Sequence, residues 1–319
     1  MPEEKEKKVE SKHRSVLLNE IIEGLNLGEN SEVKRIIIDG TFGGGGHSSE
    51  ICKRYKNIKI LALDQDKSAF EKAKSKFNGG KFKTNKCDIV FINENFRNID
   101  KAIKEEGIEK VDGIILDLGL STDQLENSER GFTFLKDEPL LMTMKENPGD
   151  EDLTATDIVN HWREENLADI IYGYGEEKQS RRIAKGIVDH RQKGHRAKIE
   201  TTFQLVKIIE EAIPAKWRKG KIHFATKTFQ ALRIAVNDEL GALSEGLDKG
   251  FKSLKVGGRM GVISFHSLED RVVKRFYKLK EEEGVAKIVN KKVITSGESE
   301  IKSNPRARSA KLRIIERIN

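Results

Sequence analysis

The sequence predicts an open, doubly wound α/β fold with a mostly parallel sheet and an inserted helical domain. Five short β-branched or apolar runs alternate with helical stretches, which is the pattern of βαβ units. Three of these runs end in an aspartate, and the first leads into a glycine loop. A gap of 141 positions then separates the fourth run from the fifth, far more than a βαβ crossover needs.

The first twelve residues form a mixed-charge run with no apolar stretch, so residues 1–12 read as a disordered tail rather than a signal peptide. The strand runs are Arg35 to Ile38, Ile58 to Leu63, Ile89 to Ile92, Gly113 to Leu118 and Arg259 to Phe265. The first run ends in Asp39, the second in Asp64 and the fourth in Asp117. Open α/β sheets bind ligands beyond the carboxyl ends of their strands, so these aspartates are expected to converge on one crevice. The insertion is placed at residues 126–222, which leaves 13–125 and 223–319 for the sheet domain. Thr226 to Leu240 reads as the crossover helix that resumes the sheet. A helix near Asp270 to Glu283 follows, and the runs Ala286 to Thr295 and Lys311 to Ile318 are expected to close the sheet as an antiparallel hairpin.

Composition narrows the class. Hydrophobic residues are 36% and charged residues 35%, and no apolar run reaches bilayer length, which argues against a membrane protein. The net charge is +7, and the stretch Arg181 to Lys221 alone carries twelve Lys or Arg against four Asp or Glu. That concentration suits a polyanionic partner. Cys52 and Cys87 are the only cysteines and neither belongs to a CxxC pair, so the sequence offers no zinc ligand set and no disulfide framework. A reducing, cytoplasmic location fits.

Ile36-Ile37-Ile38-Asp39-Gly40-Thr41-Phe42-Gly43-Gly44-Gly45-Gly46-His47 is a buried strand, a turn and the opening of a helix. Consecutive glycines reach φ > 0 and let a ligand approach the main chain. Neither G-x-G-x-x-G nor G-x-x-x-x-G-K-[ST] can be drawn through them, which removes the dinucleotide and P-loop readings. A nucleoside without a phosphate group remains, as in S-adenosylmethionine. Asp64 is placed to accept from its ribose hydroxyls, although capping of the next helix explains that aspartate too.

Eight segments carry a family resemblance: His13-Arg14-Ser15-Val16-Leu17-Leu18, the glycine loop, Asp117-Leu118-Gly119-Leu120-Ser121, Arg130-Gly131-Phe132, Gly175-Glu176-Glu177, Phe229 to Leu240, Ser264 to Arg271, and Asn304 to Ala310. Together they resemble the bacterial 16S rRNA cytosine-N4 methyltransferases. The resemblance implies a class I, Rossmann-like methyltransferase fold, S-adenosylmethionine as cofactor, and methylation of a decoding-centre cytosine. Carried over by position, it implies cofactor contacts at Gly45, Gly46, His47, Asp64, Phe96, Asp117 and Gln124, to which the loop reading adds Gly43. Two departures stand out. The family's Pro-Leu-Asp-Met-Arg-Met is Pro139-Leu140-Leu141-Met142-Thr143-Met144 here, and Ser-Ser-Pro-Gln is Ser121-Thr122-Asp123-Gln124. The lost acid and arginine motivate an alternative, a non-catalytic small-subunit assembly factor that binds cofactor and rRNA.

The N4 lone pair of cytosine is delocalised into the ring, so transfer needs in-line alignment and an acceptor at the amino group, and it needs no metal. Asp117 is the leading candidate for binding or proton acceptance. His266 and Ser264 follow the fifth strand, where His266 reads equally well as a structural histidine. Asn237 shares a helix face with Gln230 and Arg233 and is a candidate substrate contact. Asp117-Leu118-Gly119-Leu120 contains no ring to stack on a base, so that group must come from elsewhere. A paired cytosine cannot present N4, so the target must be single-stranded or extruded. Arg181, Arg182, Arg191, Arg196 and Lys198, with Trp162, Tyr172, Tyr174 and Trp217, are the expected RNA-binding groups of the insertion. Arg306 and Arg308, with Lys311 and Arg313, repeat the pattern. A homodimer is left open.

Overall fold

The computed structural model describes residues 15–28, 32–71, 73, 87–192 and 198–319. The readings made for the tail at 1–12, for His13 and Arg14, and for Arg196 lie outside the described residues. The first half contains α1 (Leu18–Leu25), β1 (Arg35–Asp39), α2 (Gly46–Arg54), β2 (Ile58–Leu63), β3 (Cys87–Ile92), α3 (Ile99–Glu105), β4 (Val111–Asp117) and α4 (Thr122–Asn127). Five helices follow: α5 (Ala155–His161), α6 (Glu164–Gly173), α7 (Ser180–Gln192), α8 (Thr202–Ala212) and α9 (Thr226–Asn237). The chain ends with α10 (Glu239–Ser253), β5 (Leu254–Ser264), α11 (Ser267–Glu282), β6 (Ala286–Ile288), α12 (Glu298–Ser303) and β7 (Lys311–Arg317).

The strands form one sheet in the order β3-β2-β1-β4-β5-β7-β6. The first five are parallel, and β7 runs antiparallel to both of its neighbours. This is the doubly wound α/β fold with its antiparallel closing hairpin. Strand order reverses between β1 and β4, so a crevice opens beyond their carboxyl ends. Register sets the acids there: Asp39 pairs with Ile115 and Asp117 with Ile263, so both stand at the rim of adjacent strands.

Alternate residues of the central strands enter different cores because side chains alternate across a sheet. Ile37, Ile60, Ile115 and Ile263 face α1 and α2, while Ile38, Leu61, Ile114 and Leu116 pack in the core that contains α3 and α10 residues such as Ile99, Leu243 and Leu247. A further core is built from α5 to α9 together with Phe132, Leu140 and Met142. Among the described residues no helix is long and apolar enough to cross a membrane.

Three expectations are corrected. Thr226 to Leu240 is not one crossover helix. Asp238 adopts φ 45°, which ends α9, and Leu240 belongs to α10. Phe229 and Leu232 of α9 pack in the helical core, and α10 is the helix that returns to the sheet. Second, β6 stops at Ile288 instead of running to Thr295. The Asn290 side chain bonds Lys292 O and Leu312 O and accepts from Ile314 N, replacing the ladder with a turn. Third, Cys52 and Cys87 form a disulfide, with Cα atoms 5.5 Å apart. Separation in sequence is silent on this pairing; it arises because α2 and the edge strand β3 contribute to the same apolar core.

Candidate functional site

The crevice is a cavity of about 890 Å³ lined from both sides. The sheet side contributes Gly43, Gly46, His47, Asp64, Phe96 and Asp117, and the helical side contributes Phe134, Met142, Met144, Phe229, Arg233 and Asn237.

The glycine loop shapes one wall. Gly43 has φ 49° and donates its N–H to Asp64 Oδ2 at 2.7 Å. A Cβ on Gly43 would come no nearer than 3.7 Å to Ser121, so the free space beside it belongs to the cavity. A Cβ on Gly46 would strike Ser15 Oγ and lie 3.2 Å from Ser15 Cβ, so a larger residue here would force the Ser15 side chain to turn away. Gly45, at φ 67°, is buried and does not line the cavity; it starts α2.

Three carboxylates accumulate at the strand ends. Asp39 is buried, accepts from Ser48 Oγ at 2.6 Å, and has its pKa pushed up to about 6 by desolvation. Asp64 accepts amides from Gly43 and Asp66 (2.9 Å), and desolvation likewise raises it to about 6. Asp117 is raised well above the ordinary carboxyl range by desolvation and then by the charges of Asp39 and Glu269. Its Oδ1 is buried without a hydrogen-bond partner. Such a group of desolvated acids calls for a cationic ligand, which would restore the ionised form.

His47 sits 3.8 Å from Asp117 Oδ2, yet this is no ion pair. Burial lowers the imidazole pKa to about 4, so it is neutral. Its Nε2 is 3.2 Å from Val16 O and takes the donor role, leaving Nδ1 toward Asp117.

Other expected residues are committed to structure. The Gln124 side chain closes a capping box with Ser121 and donates to Asp66 Oδ2 at 3.1 Å, although the residue does line the cavity. His266 caps α11 by accepting from Glu269 N, with its ring on the cavity wall. Asn237 accepts from Met144 N at 2.7 Å and donates to Met142 O and Arg233 O. It therefore clamps the segment 142–144, in which Met142 holds φ 58°, a strained conformation for a side chain with a Cβ. Asn237→Ala should lower unfolding free energy by about 1–3 kcal/mol, because it orphans part-buried backbone groups. Urea denaturation measures this, and an unchanged midpoint would contradict the clamp.

Leu141 and Thr143, the two departures from the family pattern, do not line the cavity, whereas Met142 and Met144 do. Thr143 is buried and its carbonyl accepts from Arg130.

The basic candidates divide. Arg181, Arg182, Lys198 and Arg308 are exposed. Arg191 instead donates to Val159 O and Trp162 O, and Arg313 is bidentate on Asp270. Lys311 also faces Asp270, at 3.5 Å. Arg306 reaches Thr122 and Glu126 at the cavity edge. Of the rings, Tyr172 and Trp217 are exposed, while Trp162 and Tyr174 pack on the helical core.

The sequence does not reveal the pairing of five charged side chains at the site. Arg233 pairs with Glu239 through two bonds of 2.7 and 2.9 Å. Glu269 is buried and accepts Phe265 N and His266 N; against the desolvation that raises it, His266 and Arg233 hold it below the usual range. Arg130 and Asp66 form a buried pair beside Asp64. The signals were present as Asp64-Gln65-Asp66 and as the Arg130-Gly131-Phe132 motif, but neither shows that its members meet. Glu239, His266 and Glu269 bring ligand-type atoms within 4.8 Å of one another, with Glu239 already neutralised by Arg233.

The chain is 42% identical over 326 residues to ribosomal RNA small subunit methyltransferase H of Clostridium botulinum (strain 657 / Type Ba4), covering 97% of this chain and 100% of that protein. It is 44% identical over 306 residues to the protein of the same name from Sulfurihydrogenibium sp. (strain YO3AOP1), covering 96% and 99%. An rRNA methylase structure from Streptococcus thermophilus matches with a TM-score of 0.45 at 11% identity, covering 95% of this chain and 96% of that one. The MraW methylase family model matches residues 10–318, and the chain belongs to that family.

Proposed function

We propose that the protein is an S-adenosylmethionine-dependent methyltransferase acting on N4 of a cytosine in the decoding centre of 16S rRNA, within the small ribosomal subunit in the cytoplasm. The observation that carries this reading is the convergence of Asp64, Asp117 and the open face of Gly43 on one cavity. Two raised carboxylates with unused lone pairs suit a ligand that bears a sulfonium and an ammonium. The substrate class rests on the relatives' names.

Bound S-adenosylmethionine supplies a methyl group on a positively charged sulfur. Asp64 retains acceptor capacity for two ribose hydroxyls after taking one amide on each oxygen. Gly43 offers its bare backbone, and Phe96 adds an apolar wall. Asp117, which lines the cavity, faces the target amino group and takes up the proton that the amine must lose. Exposed Arg181, Arg182 and Lys198, with Tyr172 and Trp217, grip phosphates and bases of the RNA.

The test is to incubate the protein and methyl-labelled cofactor with small subunits lacking the modification, then digest to nucleosides. Label in N4-methylcytidine is expected. Label confined to protein or small metabolites, or binding without transfer as for an assembly factor, rejects the reading.

Cofactor affinity should also depend on pH. Asp64 is protonated below about 6, so it cannot accept fully from the ribose in acid. The amino group of the ligand stays cationic up to about pH 7.7, so affinity should rise roughly tenfold from pH 5 to pH 7 and then level. The unliganded protein shows the opposite linkage. Because Asp39 and Asp64 are raised from 3.8 to about 6, their contribution to stability is complete below 3.8 and is lost as pH rises through 6. Calorimetry at pH 5, 6 and 7 measures the affinities, and a flat profile would contradict the role of Asp64.

A further inference from the structure

A base presented for methylation must be held by one face, and the loop after Asp117 has no ring to hold it. The structure offers one from another strand. Phe265 directly follows β5, lines the cavity and is partly exposed, with the remainder of its side chain packed on the core beneath. Its ring approaches Gly119, two residues beyond Asp117: a Cβ built there would lie 3.5 Å from Phe265 Cδ2. Gly119 holds φ 94°, so the loop passes the ring without a side chain between them.

The other cavity rings are engaged elsewhere. Phe134 stacks on His223 at 4.5 Å and meets Phe229 edge-on at 5.2 Å. Phe42 packs with Phe70 and Phe91 in the core. Phe132 lies beneath the Arg130 guanidinium, and Phe96 is wedged against Gly246, where a Cβ would be 2.6 Å from its ring. Phe265 shows no ring partner among the described residues, and its position is fixed from behind because Phe265 N donates to buried Glu269 at 2.8 Å. An anchored, uncommitted aromatic face beside the proton acceptor is what a stacked pyrimidine requires.

We infer that Phe265 is the platform on which the extruded target base stacks, supplying from the end of β5 the ring that the Asp117 loop lacks. The inference rests on the proposed function, since it takes the substrate to be a nucleobase. Stacking on an aromatic ring tolerates exchange among rings but not loss of the ring.

The experiment compares Phe265→Tyr, Phe265→Leu and Phe265→Met with wild type, measuring methyl transfer to unmodified small subunits and cofactor binding by calorimetry. Phe265→Leu should lower kcat/KM for the subunit roughly 10-fold to 100-fold, while Phe265→Tyr stays within about 3-fold and cofactor affinity stays within about 2-fold in all three. Phe265→Met fills similar volume without a ring and should fail as Phe265→Leu does, which keeps the test valid if one aliphatic variant folds poorly. Wild-type rates from Phe265→Leu or Phe265→Met, or a parallel loss of cofactor binding, would overturn the inference. Wild type that transfers no methyl to the subunit refutes the functional reading itself, a result visible before any variant is compared.

Discussion

Asp117→Asn should reduce the rate of methyl transfer by about 10²–10³-fold while changing cofactor affinity less than tenfold. The substitution keeps shape and leaves an acceptor oxygen but removes the capacity to take up a proton. Asp117 Oδ1 is buried without a partner, and the neighbouring His47 is neutral because burial lowers it to about 4. His47 therefore holds no charge that could keep Asp117 ionised in the empty site. Desolvation, Asp39 and Glu269 all raise its pKa, so the protein maintains a carboxyl that becomes a charged acceptor only when a cation lies against it.

The same shift predicts a second, opposite effect. An acid whose folded pKa is raised contributes stability below its unfolded value and loses it as pH rises through the folded value. At neutral pH wild type therefore carries a penalty that asparagine does not, and the unliganded Asp117→Asn protein should melt higher at pH 7.5. Higher melting with lower turnover is the expected mark of a site strained for function. Single-turnover transfer and a thermal melt decide it; turnover within threefold of wild type would remove Asp117 from the chemistry.

The reach of the sequence follows from which interactions are local. Ile58–Leu63 is bounded in the structure as its β-branched pattern predicts, and Asp39, Asp64 and Asp117 fall at strand ends because strand length alone places them there. Asn237 shows the limit. Helical spacing puts it on one face with Gln230 and Arg233, but cannot show that Met142 and Met144 arrive from more than 90 residues away to occupy its amide. Arg191 resembles an RNA contact by composition, yet its guanidinium is spent on Val159 O and Trp162 O. The break at Asp238 and the Cys52–Cys87 pairing are likewise settled by tertiary packing, which propensity and spacing do not encode.

Arg130 is where such a long-range contact carries the most energy. Its side chain is 7% exposed and that of Asp66 4%, and one guanidinium serves Asp66 Oδ2, Thr143 O at 3.0 Å and Met144 O at 2.9 Å. Asp66 in turn donates its N–H to Asp64 Oδ1, so this arginine ties the strained segment 142–144 to the carboxylate assigned to the ribose. Arg130→Met leaves a buried carboxylate without its cation and two carbonyls without donors, a loss of about 3–5 kcal/mol, or roughly 10 °C in melting temperature. Arg130→Lys should recover little, because an ammonium cannot span three acceptors in the planar fork. Against burial, which raises it, Ser68 and Arg130 hold the Asp66 carboxyl below its usual range, so its contribution is present above 3.8 and lost in acid. The stability gap between wild type and Arg130→Met should therefore narrow as pH falls below 3.8. Adding Asp66→Asn to Arg130→Met should restore part of the loss, since the double variant no longer buries an unpaired charge. Additive losses in that cycle, or a gap independent of pH, would show that Arg130 acts by filling space and not as the cation of a buried pair.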